Sequence, residues 1–270
     1  MIKDKFVISF HETFALSRAS LSQILHNAAT TGSLDRTFLV KTSLGTNYQK
    51  SMPRYAYRAG LLDEKNRLDL LGRYAAEHDP ALEKPGTQWL LHYHLSAPHG
   101  PTVFWHFLVA RRFLPGNTFT AADLTEDLTR FLRREAGKDP APRSVRSTIT
   151  VFTGTYLKSD GLNRLGLLAE DKRDTYRVLA AAAPPSWALG YALAEYWQAH
   201  YGQRLTVNLD DLSGEAFAGL FLLGKNRFTD LLIELKHAGF IDLHRIAHPY
   251  QVVLLQPDPE FALQKLYSTS

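Results

Sequence analysis

The chain has 270 residues, 45% of them hydrophobic and four of them tryptophan, which is enough for a packed core and unlike a disordered composition. Thirty-one Lys and Arg against 27 Asp and Glu give a formal charge of +4 and a pI of about 9.2, a mild basic excess compatible with a phosphate-binding face but not diagnostic of one. The lack of cysteine excludes disulfides, thiolate metal ligands and cysteine nucleophiles; with no signal-like start or spanning-length apolar run, the expectation is a soluble cytoplasmic protein without a membrane partner.

Along the chain, residues 21–29 have helical periodicity and 35–40 start a second helix. Residues 43–47 form a turn, with Asn47 expected to cap a helix carrying Tyr48, Lys50, Arg54, Tyr55 and Arg58. A spacing of four puts Lys50, Arg54 and Arg58 on one face. Pro53 either kinks that helix or delays its start to Ser51. Asp79 reads as a helix cap, with Pro80 at the first helical position and Glu83 in the first turn. Residues 87–95 and 103–112 are aromatic-laden helices separated by a loop at 96–101. A helix starts at 119–124 with Leu124, Leu128, Phe131 and Leu132 as its apolar stripe. The basic stretch 130–146, broken by Pro140 and Pro142, reads as a linker or loop. Ser144 is expected to cap a helix running to Tyr156, and Ser186 one running to Gln198. The last unit contains residues 212–223, a turn at 224–226 and a helix over 227–237.

One pattern occurs three times: Arg58-Ala59-Gly60-Leu61-Leu62, Arg164-Leu165-Gly166-Leu167-Leu168 and His237-Ala238-Gly239-Phe240-Ile241. Each ends an amphipathic run with glycine and an apolar pair, and a charged turn comes next (63–67, 170–174 and 244–249). After the second and third turns comes a β-prone stretch, 175–179 and 250–255. Glycine in the left-handed conformation stops a helix cheaply, and the apolar pair re-enters the core as a strand. The expected fold is mainly α with small β-hairpin wings. Winged-helix-like units repeat around a helical middle, with boundaries at 1–85, 86–185 and 186–270.

Several motifs carry chemistry on paper. Gly219 to Asn226 approximates a phosphate-cradling loop, but Leu-Phe-Leu-Leu belongs in a core and Asn226 replaces the magnesium-binding hydroxyl, so a helix end and turn is expected. His92, His94, His99 and His106 lack a carboxylate at helical ligand spacing and read as structural histidines. Asp258, Glu260 and Lys265 have the wrong spacing for a carboxylate–lysine nuclease and read as a solvated C-terminal helix. His11-Glu12 admits two readings: a metal- or proton-handling pair, or groups that satisfy backbone at a turn, of which the second is preferred. Asp79 to Glu83 keeps its capping reading. The basic residues Lys41, Lys50, Arg54 and Arg58, then Arg133, Arg134, Lys138, Arg143 and Arg146, then Lys225, Arg227 and Lys236, are either phosphate contacts or a solvated surface. Asn47 and Gln49 sit at a helix start suited to base reading.

In order, His11-Glu12-Thr13-Phe14, Leu44-Gly45-Thr46-Asn47, Leu70-Leu71-Gly72, Asp79-Pro80, Leu82-Glu83, Thr87, Trp89-Leu90-Leu91-His92, Tyr156, Leu165-Gly166-Leu167 and the 192–197 helix resemble the bacterial DUF4007 family. The likeness covers nearly the whole chain; the order is specific, and no single motif is. Pro53 departs from the family pattern. The resemblance implies a component of a phosphorothioate DNA modification or phage-defence system. Its partners would be double-stranded DNA and ATP-pyrophosphatase-like and ATPase components. It also implies DNA nicking as a reading, and His11, Glu12, Asp79, Glu83 and His92 are then the catalytic candidates, with magnesium or manganese as the divalent ion. The alternatives are a non-enzymatic winged-helix regulator or scaffold, and a protein adapter. DNA contact is placed on Lys41, Asn47, Gln49, Lys50, Arg54 and Arg58, and on Arg133, Arg134, Arg143 and Arg146.

Overall fold

All three glycine stops adopt the left-handed conformation, with φ of 75° at Gly60, 62° at Gly166 and 73° at Gly239. The backbone diverges beyond them. In the computed structural model, which describes residues 6–35, 37, 45–137, 139–244 and 248–268, the second and third stops lead into antiparallel hairpins. The first leads only to a single bridge, Leu62 to Leu68, around the turn that Asp63 organises by accepting from the amides of Lys65 and Arg67.

The elements run α1 (Arg18–Thr31), α2 (Thr46–Arg58), α3 (Leu70–His78), α4 (Pro85–Ser96), α5 (Val103–Arg112), β1 (Thr118–Thr120), α6 (Ala121–Ala136) and α7 (Pro142–Leu157). After a 3-10 turn at Asn163–Leu165 come β2 (Leu168–Lys172), β3 (Thr175–Val178), α8 (Ser186–His200), β4 (Thr206–Asn208) and α9 (Leu209–Leu212). A second 3-10 turn, Ala218–Phe221, precedes α10 (Lys225–His237), β5 (Ile241–His244), β6 (Gln251–Leu254) and α11 (Pro259–Ser268). The described residues are therefore mainly helical, with two small antiparallel sheets of three strands among them, ordered β1-β3-β2 and β4-β6-β5. From α5 to β3 and from α8 to β6 the chain repeats one sequence of elements: helix, strand, helix, helix, strand, strand. No helix among the described residues is long and apolar enough to cross a membrane.

Helix starts depart from the expected caps where proline or glycine sets the backbone instead. α2 begins at Thr46 behind Gly45 without a side-chain cap, so Asn47 lies inside its first turn, and the helix runs through Pro53. α7 starts at Pro142, two residues before Ser144, and α8 starts at Ser186 behind Pro185. A proline at the first position has its φ preset and lacks an N–H that would be orphaned there anyway. The expected cap at Asp79 is not one: Asp79 ends α3, Pro80 and Glu83 lie in the following turn, and the next helix begins at Pro85 behind Lys84 without a side-chain cap. The Asp79 carboxylate fastens that turn by accepting from the amides of Glu83 and Lys84, both at 2.9 Å.

The basic stretch 130–146 is mostly helix rather than linker. α6 continues to Ala136 because Leu124, Leu128, Phe131 and Leu132 bury one side of it, and Gly137 at φ 66° stops it. Residues 218–221 form a 3-10 turn with Leu220 and Phe221 buried, and the following helix starts at Lys225, so Lys225 and Asn226 lie in α10 rather than in the expected turn. The C-terminal helix is not solvated all round: Ala262, Leu263, Leu266 and Tyr267 are buried. Tyr267 shares a hydrogen bond with Thr87 (2.8 Å) and Tyr74 donates to Glu260 (3.1 Å), which returns the chain end to α3 and α4. The helix expected at 35–40 falls largely outside the described residues.

Buried apolar residues from Ile8 to Tyr267 form one continuous core. Gly72 is required by the close approach of two chain segments within it. A Cβ there would lie 1.9 Å from the carbonyl oxygen of Leu61, so backbone has to move. Gly72→Ala is expected to lower the free energy of unfolding in urea by about 1–3 kcal/mol. Gly154→Ala, whose Cβ would meet only ordinary contacts from 3.4 Å, leaves it unchanged or raises it. Equal effects of the two substitutions count against this packing account.

Candidate nucleic-acid interface

The five polar catalytic candidates fall into three places: His11 with Glu12, Asp79 with Glu83, and His92. His11 is buried; its Nδ1 accepts the Thr13 amide at 3.0 Å, so Nε2 carries the proton and donates to Thr148 Oγ1 at 3.0 Å. Glu12 and Thr13 both adopt positive φ, 47° and 74°, and Glu12 pairs with Arg54 at 2.7 Å. Asp79 is spent on the two amides named above. Glu83 is exposed, 3.5 Å from Arg164 and 3.9 Å from Arg18. His92 is fully buried: Nε2 donates to the Leu220 carbonyl at 2.7 Å, and Nδ1 accepts from Tyr156 at 2.9 Å. The described residues contain no group of three or more His, Asp or Glu side chains placed to hold a metal ion. The candidates thus do not fit a divalent ion held by protein ligands alone.

The basic stripe on α2 is also partly committed. Arg54 is tied to Glu12, and the Arg58 guanidinium lies over the Phe10 ring at 4.3 Å. Lys50 and Asn47 are exposed and Gln49 is half-buried. Lys41 and Lys138 lie outside the described residues.

The arginine-rich middle is arranged differently. α6, α7 and the turn between β2 and β3 enclose a cleft of about 930 Å³. Arg130 and Arg133 of α6, Arg146 of α7 and Arg173 at the β2–β3 turn line it, against only Glu126 and Asp174. Thr125, Thr129, Thr150 and Thr175 add hydroxyls. The α6 residues recur every three or four positions and so share one face. Most of the arginines here are tethered: Arg130 to Glu126, Arg133 to Asp139 at 2.6 Å, Arg134 to Glu135 at 2.7 Å and Arg173 to Asp174 at 3.8 Å. Arg143 and Arg146 have no carboxylate partner among the described residues. Four guanidiniums thus border this open cleft, three of them already facing a carboxylate. Sequence reasoning passes over Arg130 and Arg173 as DNA contacts, although Arg130 sits three residues before Arg133 on the same helix face.

Residues 8–266 match the DUF4007 family, described as "Protein of unknown function", and the chain belongs to it. No curated protein sequence matches the chain significantly. Two solved structures share its fold. One is described as magnesium ion-bound SspB, with a TM-score of 0.79 and 18% identity over 96% of this chain and 87% of that one. The other, SspB, has a TM-score of 0.76 and 20% identity over 97% of this chain and 87% of that one. At such identity the likeness is one of fold.

Burial, the dominant cause in each case, lowers the pKa of His11 and His92 to about 4 from the usual 6.5. The unfolded chain therefore binds protons between pH 6.5 and 4 that the folded chain refuses. Stability is fully present above pH 6.5 and is lost as pH falls toward 4, by about 1.4 kcal/mol per pH unit for each such histidine. Urea titrations at pH 7, 6 and 5 are expected to show that decline, with a shallower slope in His92→Gln. An unchanged slope in that variant would mean that His92 is not held neutral by the fold.

Proposed function

We propose that this DUF4007 protein docks double-stranded DNA across the cleft between α6, α7 and the β2–β3 turn, as the DNA-binding component of a bacterial phosphorothioation or phage-defence system. The observation that carries the reading is the gathering of Arg130, Arg133, Arg146 and Arg173 around one open cleft. Residues 86–185 and 186–270 are read as winged-helix units because each has the strand order first, third, second beside a helix pair. In the first of them α7 is the helix presented to DNA and the β2–β3 turn is the wing. Family membership and the SspB-like fold support the assignment to a modification system. In it the protein holds DNA for ATP-pyrophosphatase-like and ATPase partners, as a scaffold rather than as the hydrolase.

Fluorescence anisotropy with a short duplex between about 50 and 200 mM salt tests this. Reversing two cleft charges, Arg130→Glu with Arg133→Glu, is expected to weaken binding at least tenfold. It should also reduce the slope of log affinity against log salt by about 2. Arg73→Glu, on the exposed side of α3, leaves both unchanged. Absence of DNA affinity at low salt would leave the adapter reading instead. Relaxation of supercoiled plasmid with magnesium or manganese, abolished by Glu12→Gln, would replace the scaffold by a nickase.

A further inference from the structure

Resting on that docking reading, we infer that α7 is a sequence-reading helix: Arg143 and Arg146 recognise guanine in the major groove, while the tethered arginines of the cleft hold phosphate. Three independent features converge on these two side chains. The first is their freedom from carboxylates. α7 contains no Asp or Glu, and neither arginine pairs with one among the described residues. Arg177, by contrast, spends both arms of its fork on Asp171 at 2.9 and 2.8 Å. An arginine must have its planar fork available to bond guanine O6 and N7 together.

The second feature is how α7 is seated. Its C-terminal half, from Val151 to Tyr156, is buried without interruption, whereas Arg143, Arg146 and Thr150 are exposed in the N-terminal half. Spacings of three and four set these three on one stripe, with half-buried Ser147 beside it. A helix embedded at one end offers only its first two turns to a groove about 12 Å wide, the presentation a reading helix needs. Arg173 at the β2–β3 turn then meets the phosphates flanking the groove.

The third is the contrast with α10, which occupies the same place in the second unit. α10 exposes Asp230 and Glu234, and its Lys225 lies 3.5 Å from Asp210. Those carboxylates would face phosphate, so α10 is not a second reading helix and α7 carries the readout alone.

Selection of the full-length protein on a duplex library with a randomised centre is expected to enrich guanine at two neighbouring positions, with a preference of about tenfold at each. Replacing the selected guanines by 7-deazaguanine, which keeps base pairing and removes N7, should erase that preference. Arg143→Lys and Arg146→Lys retain charge without the fork. Each is expected to lose the preference at one position while keeping the salt slope. Salt-dependent binding with no base preference in the unaltered protein overturns the guanine readout and leaves DNA docking intact. No binding even at low salt overturns both.

Discussion

The hydroxyl of Tyr156 is the junction on which the arrangement of helices depends. Fully buried on α7, it accepts the indole N–H of Trp105 at 2.8 Å and donates to Nδ1 of His92 at 2.9 Å. The other imidazole nitrogen donates to the carbonyl of Leu220, in the turn before α10. One chain of hydrogen bonds thus joins α5, α7, α4 and the second three-stranded unit inside an apolar core. Removing any member strands a buried polar group, at a cost of about 1–3 kcal/mol. The chain works only with a neutral imidazole, and burial keeps it so. By anchoring the C-terminal half of α7 it also decides which half of that helix faces outward.

Much of this is legible in the residues, for identifiable reasons. The glycine stops at 60, 166 and 239 show because a left-handed residue after an amphipathic run has few substitutes. The phosphate-loop mimic at 219–226 betrays itself because its apolar residues have to be buried. The strands β1 and β4 are not legible, since three residues are too few to display alternation, and without them the two sheets cannot be ordered. Caps are misplaced at Asn47, Ser144 and Ser186 because a neighbouring glycine or proline has already fixed the backbone.

The charged residues teach a different lesson. Identity and spacing reveal the arginines, but whether an arginine is available depends on which carboxylate the fold brings to it. Arg54 looks like Arg146 in sequence, yet one is paired with Glu12, distant in the chain, and the other has no carboxylate partner among the described residues. Likewise His11, Asp79 and His92 carry the family resemblance and hold the backbone or the core. Motif residues can mark what a fold needs to stand up as readily as what it does.

The turn between β2 and β3 is fastened at both ends of its reach. β3 pairs with β1, and the carbonyl of Asp174, at the tip, accepts the amide of Ala121 at 2.9 Å, the first residue of α6. Thr120 and Asp123 close the start of that helix with reciprocal bonds. One wall of the cleft is consequently built onto its floor. A ligand docking there as proposed would meet a preorganised surface and be spared the conformational entropy of ordering this turn.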